Sequence, residues 1–207
     1  MRLGRAIAPL TMGLMALALA VAYALSRAGA SFGSVAVHPN VVSGAPPWVG
    51  ALTILVGMVW CAAGAVALTG SVLVGGDDPA RARLLRDLGL LTVLLGIDTA
   101  FLLHNVVLPA VGVPKLLVVL AYAALAAWIL VRDAKVLRAS ASSWALLLGA
   151  ALFGAWTLIA AVEPPGEAWS ASLTALKVIG SGAWSGGLAA MVLVGPHGKG
   201  GARDARL

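Results

Sequence analysis

Four side chains in this sequence stand where their chemistry is costly unless used, namely Asp98, Lys177, His104 and Asn105. Each falls within or beside a long apolar run, where an ionisable group needs a partner or a water-filled cavity. Asp98 lies about ten residues into the run 88–109, and Lys177 about eight residues into the run 170–194. At about 1.5 Å per residue the two should sit at similar depths near the middle of a bilayer. An Asp98–Lys177 pair is therefore expected, serving either as a fixed ion pair between two helices or as a titrating pair. Asp98, Leu102, Asn105 and Pro109 follow an i, i+4, i+7, i+11 series and form one stripe, expected to face the bundle. On a straight helix His104 is rotated by roughly 120° from Asp98, so these two are not expected to form a dyad. Ser181, four residues after Lys177, leaves serine–lysine catalysis open, although no oxyanion hole is visible.

Other chemistries find no residues. The three histidines, His38, His104 and His197, fall in an expected external loop, near a helix end and in a tail, so paired haem ligands and a three-histidine zinc site are not expected. Cys61 is the only cysteine, which excludes an intrachain disulfide and a cysteine metal cluster. There is no phosphate-binding Walker loop, Gly-x-Ser-x-Gly elbow or CxxC. No catalytic residue, metal or cofactor is expected, and a non-enzymatic role is favoured over an enzymatic one.

The elements that must hold these residues are apolar runs. Hydrophobic residues make up 61% of the chain and charged residues 11%, too few to keep a soluble domain in water. Runs of spanning length occur at about 7–26, 49–74, 88–109, 115–131, 144–162 and 170–194. The expected fold is an all-α membrane protein, a bundle of about six transmembrane helices over 1–195 with a basic, disordered tail at 196–207. Eleven of the 14 Lys and Arg residues fall on one side in alternate loops. They are Arg2 and Arg5; Arg81, Arg83 and Arg86; Arg132, Lys135 and Arg138; and Lys199, Arg203 and Arg206. By the positive-inside rule both termini are cytoplasmic and the location is the cell inner (plasma) membrane. Arg27, Lys115, Glu163 and Glu167 fall on the other side. Trp48, Trp128, Trp144 and Trp169 lie at run ends, as headgroup-level anchors do.

The net charge of +6 is explained by this topology, and no nucleic-acid motif accompanies it. The expected partners are the lipid bilayer and a membrane protein or further copy of the chain, with no nucleic acid. Heavy use of Ala, Gly, Val and Arg points to a high-GC bacterial source. Arg2, Arg5, the apolar stretch and Ala28-Gly29-Ala30 also imitate a cleaved secretory signal. The stretch from Ala6 to Leu25 is longer than a signal core, so an uncleaved first helix is expected. Residues 31–47 form a Gly-, Ser- and Pro-rich external loop, and Asp77-Asp78-Pro79 reads as a helix start. Gly182 and Gly186 have the spacing of close helix packing.

The stretch from Gly96 through Asp98, His104 and Asn105 to Pro109, followed by Gly112-Val113-Pro114, resembles a motif of uncharacterised multi-pass proteins of actinobacteria and other bacteria. In those proteins an intramembrane Asp precedes a His-Glu pair, a Pro and a Gly-x-Pro turn. The resemblance implies the membrane class and marks Asp98 and His104. Asn105 stands where the family has Glu, which removes a second carboxylate. The leading expectation is proton-linked or small-solute transport using Asp98 and Lys177. The alternative is a non-catalytic membrane subunit or scaffold of a larger complex.

Overall fold

The computed structural model describes residues 51–101, 103–161 and 167–193, with Met12, Gly13, Ala16, Ala20 and Tyr23. The expected helix at 7–26 with its signal-like features, the loop at 31–47, His38, His197 and the tail at 196–207 lie outside them, those five positions apart. All described elements are helical and no strand occurs among the described residues. They are α1 (Ala51–Val74), α2 (Pro79–Phe101), a π-helical segment (Leu103–Val107) with a short turn Leu108–Ala110, α3 (Lys115–Arg132), α4 (Ala134–Ala139), α5 (Ser143–Ala161) and α6 (Glu167–Leu193).

Among the described residues, three stretches are long and apolar enough to cross a membrane: Leu52–Val74, Lys115–Arg132 and Leu173–Leu193. α2 has the length, but Arg81, Arg83, Arg86, Asp87 and Asp98 interrupt it. The apolar run begins at 88, yet α2 begins at Pro79, because the Asp78 side chain accepts the Arg81 amide at 3.0 Å and caps the first turn. The sequence outside the apolar run thus extends the helix.

α1 and α2 pack as a hairpin, α5 and α6 pack along each other, and α1 also lies against α6. The closest crossings are made where no Cβ would fit. A Cβ on Gly64 would lie 2.8 Å from the Gly89 carbonyl oxygen, and one on Gly149 would lie 2.8 Å from that of Gly180. Removing the side chain lets backbones touch, the usual means of helix association where apolar burial alone gives no preference for helix over lipid. The core between them is Val56, Trp60, Leu84, Leu88, Leu91, Leu146, Val178, Trp184 and Leu188. Two polar bridges cross it: Arg81 donates to the Met191 carbonyl, and the Trp184 indole N–H donates to the Thr92 hydroxyl at 2.9 Å, which donates in turn to the Leu88 carbonyl at 2.7 Å.

The outer faces are apolar. Met58, Val72, Leu73, Phe101 and Val131 are all more than 60% exposed, the reverse of a water-facing surface. α3 is the extreme case: only Val118 and Ile129 are buried along its length.

A candidate functional site at Asp98

α2 carries Asp98 in its last turn, and the residue is 3% exposed. Just beyond Phe101 the chain widens into the π segment, and here the expected separation of Asp98 from His104 fails. The 120° estimate assumed one straight helix. A π turn changes the angular step and breaks the regular hydrogen-bond ladder. The freed His104 amide donates to Asp98 Oδ1 at 2.8 Å, and the His104 ring pairs through Nδ1 with Asp98 Oδ2. His104 and Asp98 therefore do form a dyad. With the carboxylate ionised, Nδ1 is the protonated nitrogen and Nε2 is left as the second ring position.

Tyr122 of α3 lies close enough to interact electrostatically with the same carboxylate. Sequence reasoning missed it. The available signal was slight: Tyr122 is one of two tyrosines and carries a hydroxyl into the run 115–131, where that polar group needs a partner.

Lys177 of α6 feels the Asp98 charge but is not within ion-pair distance of it, and no ion pair to Lys177 occurs among the described residues. Its ammonium lies 5.6 Å from the centroid of the Trp156 ring instead. The two charges do share a level. Asp98 is two residues beyond Gly96, where a Cβ would lie 3.0 Å from the Gly57 carbonyl oxygen, and Lys177 is four residues into the Leu173–Leu193 stretch. That level is about 9 Å short of the midpoint of the α6 stretch at 1.5 Å per residue, so the group lies nearer one end than the middle.

Asn105 belongs to the π segment, and its side chain and Leu102 lie outside what the structure describes. Pro109 sits in the short turn, and Gly112 takes φ 89°, the left-handed conformation that the Gly112-Val113-Pro114 turn into α3 requires. Ser181 donates to the Lys177 backbone carbonyl at 2.6 Å, so its hydroxyl is not aimed at the lysine ammonium as serine–lysine catalysis needs. No group of three His, Cys, Asp or Glu side chains suited to a metal occurs among the described residues.

A second charged cluster joins the other end of α3 to α2. Arg83 meets Asp133 at 2.6 Å, Arg132 meets Asp87 at 2.7 Å and also pairs with Asp133, and Arg86 meets Asp87 at 3.0 Å. The Arg132 guanidinium carbon lies 4.4 Å from the centroid of the Trp128 ring. With few buried apolar residues, α3 is thus tied to α2 by two polar clamps, Tyr122–Asp98 and this network.

Residues 10–193 match the family described as a domain of unknown function, DUF8692. No curated protein and no solved structure matches the chain. With nearly the whole length matched, the chain belongs to the DUF8692 family.

Proposed function

We propose that the chain is a multi-pass inner-membrane protein of about six spans with cytoplasmic termini, and that it moves protons together with a small solute through a site built on Asp98. Three helices of spanning character, the apolar outer faces and the one-sided distribution of Lys and Arg support the membrane reading. The observation that carries the transport reading is the buried carboxylate shared by a histidine ring, a backbone amide and a tyrosine where α2 widens into a π turn. Such widened turns recur at functional sites, and Asp–His arrangements are standard proton carriers.

Lys177 belongs to the same working group. Lys177 lies nearer one end of its stretch than the middle, and an ionisable group there still needs a partner or water. It stands against the Trp156 ring and feels the Asp98 charge across a gap.

The test is proton movement in liposomes. The purified protein is reconstituted with an internal pH dye and challenged with a panel of small solutes. A solute-dependent proton flux is expected from the wild type and none from Asp98→Asn that keeps its circular dichroism spectrum. Equal flux from both proteins would refute the role of Asp98. The second reading, a non-catalytic subunit, has its own observation: the Asp98 contact to the His104 amide caps a helix break, a purely architectural task. It requires stoichiometric copurification of other membrane proteins and no flux.

A further inference from the structure

We propose that Lys177, Trp156, Phe153 and Trp60 form a binding site for a small organic monoanion, a carboxylate with an apolar or aromatic body. The proposal deepens the transport reading by naming its substrate class, and rests on that reading only for the statement that the ligand is carried.

The site is set by the close approach of α5 and α6. Around Gly180 the two backbones are so near that a Cβ would meet Leu152 Cβ at 3.1 Å and Phe153 N at 3.2 Å. One turn before Gly180, Lys177 emerges beside Trp156, with its ammonium 5.6 Å from the ring centroid. Trp156 and Phe153 are themselves in contact at 5.0 Å, and Phe153 meets Trp60 of α1 at 5.2 Å. The result is a row of three aromatic rings across two helices, ending on a cation.

Two groups in this row are unsatisfied among the described residues. The Trp60 indole N–H is buried, at 3% residue exposure, with no hydrogen-bond acceptor. Buried indole donors ordinarily find one, so an acceptor is missing here. Lys177 has no carboxylate within ion-pair distance. Among the described residues the acidic group acting on it is Asp98, which already accepts from the His104 ring and amide. A carboxylate supplies the counter-charge at Lys177, and the aromatic rings take its apolar body. A cation meets Lys177 head on and is excluded by like charge.

The experiment uses full-length protein in detergent and an isosteric pair, cyclohexanecarboxylate and cyclohexylamine, with chloride as a simple-anion control. Binding is measured by calorimetry and by tryptophan fluorescence. The carboxylate is expected to bind and the amine not, with chloride at least about tenfold weaker because it offers no apolar body. Lys177→Met should weaken the carboxylate about tenfold or more, and Lys177→Arg should retain it. Trp156→Leu, which keeps the charge, should also weaken it and guards against misfolding of the lysine variant. No carboxylate binding by the wild type, or equal binding by folded Lys177→Met, overturns the site. The first of those results leaves proton-coupled transport of another solute standing. Lys177-dependent binding without proton-coupled flux of the same carboxylate upholds the site and removes the transport reading.

Discussion

Asp98 and Asp133 are buried to almost the same degree, at 3% and 2% exposure, and both connect α2 to α3, yet they are held in opposite ways. Asp133 receives two guanidiniums, Arg83 at 2.6 Å and Arg132, which stay charged at every accessible pH. Asp98 receives a histidine, a neutral phenol and a backbone amide, with the lysine charge standing off. A carboxylate locked between permanent cations is a fastener. One surrounded by partners that gain and lose protons can change state without leaving its place. The difference teaches that equal burial does not mean equal bonding: what distinguishes the two acids is whether their partners carry a permanent charge.

The largest effect should come from deleting Asp98. Asp98→Ala removes the acceptor for the His104 amide and ring, the partner of Tyr122 and the charge felt by Lys177, all in a closed setting. A loss of about 3 kcal/mol is expected. Asp133→Ala should cost only about 1 kcal/mol, because its cations are partly open, with side-chain exposures of 47% for Arg83 and 25% for Arg132. Thermal melts of the two variants in one detergent decide it. If Asp133→Ala proves the more damaging, the contrast between the clusters is reversed.

Acid should separate the clusters next. Burial pushes the Asp133 carboxyl up, but hydrogen bonds from Arg132 and Arg83 and their charges outweigh it, and the net position is below the ordinary 3.8. A lowered carboxyl contributes its stability fully above the unfolded value and loses it as pH falls through the folded one. The junction of α3 and α4 should therefore stay protected down to about pH 4 and loosen only below it. Hydrogen exchange of residues 130–139 between pH 6 and pH 3 reads this directly. Asp133→Asn should flatten that acid response, and an unchanged acid response in the variant would assign it to other carboxylates.

How much of this contrast was legible depends on which regularity each residue obeys. The helical character of the apolar runs follows from length and composition, and the start of α2 at Pro79 was visible in Asp77-Asp78-Pro79. Asp98, His104 and Lys177 stood out because charge inside an apolar run is costly. Their actual pairing did not, since a 3.6-residue periodicity carries no information about a π turn, and the straight-helix projection set His104 on the wrong side. Tyr122 was hidden by distance in sequence. The clamp of Asp133 was hidden in another way: Arg83, Arg86 and Arg132 read as topology signals, and their second use as ligands of buried acids appears only when α3 is laid against α2.

The smallest expected effect tests whether the fastening cluster works as a network or through two dominant pairs. Arg86 meets Asp87 at 3.0 Å from a neighbouring position on the same helix, and its side chain is 58% exposed. It therefore ties no two helices together, and water screens most of its attraction to Asp87. Arg132 reaches Asp87 from α3 at 2.7 Å and carries the link between helices without it. Arg86→Gln should accordingly shift stability by less than about 0.5 kcal/mol and leave the hydrogen exchange of residues 130–139 unchanged. If Arg86→Gln instead loosens that segment as much as Arg83→Gln does, the charges act as one coupled unit. Asp133 would then owe its low proton affinity to the whole cluster rather than to Arg132 and Arg83.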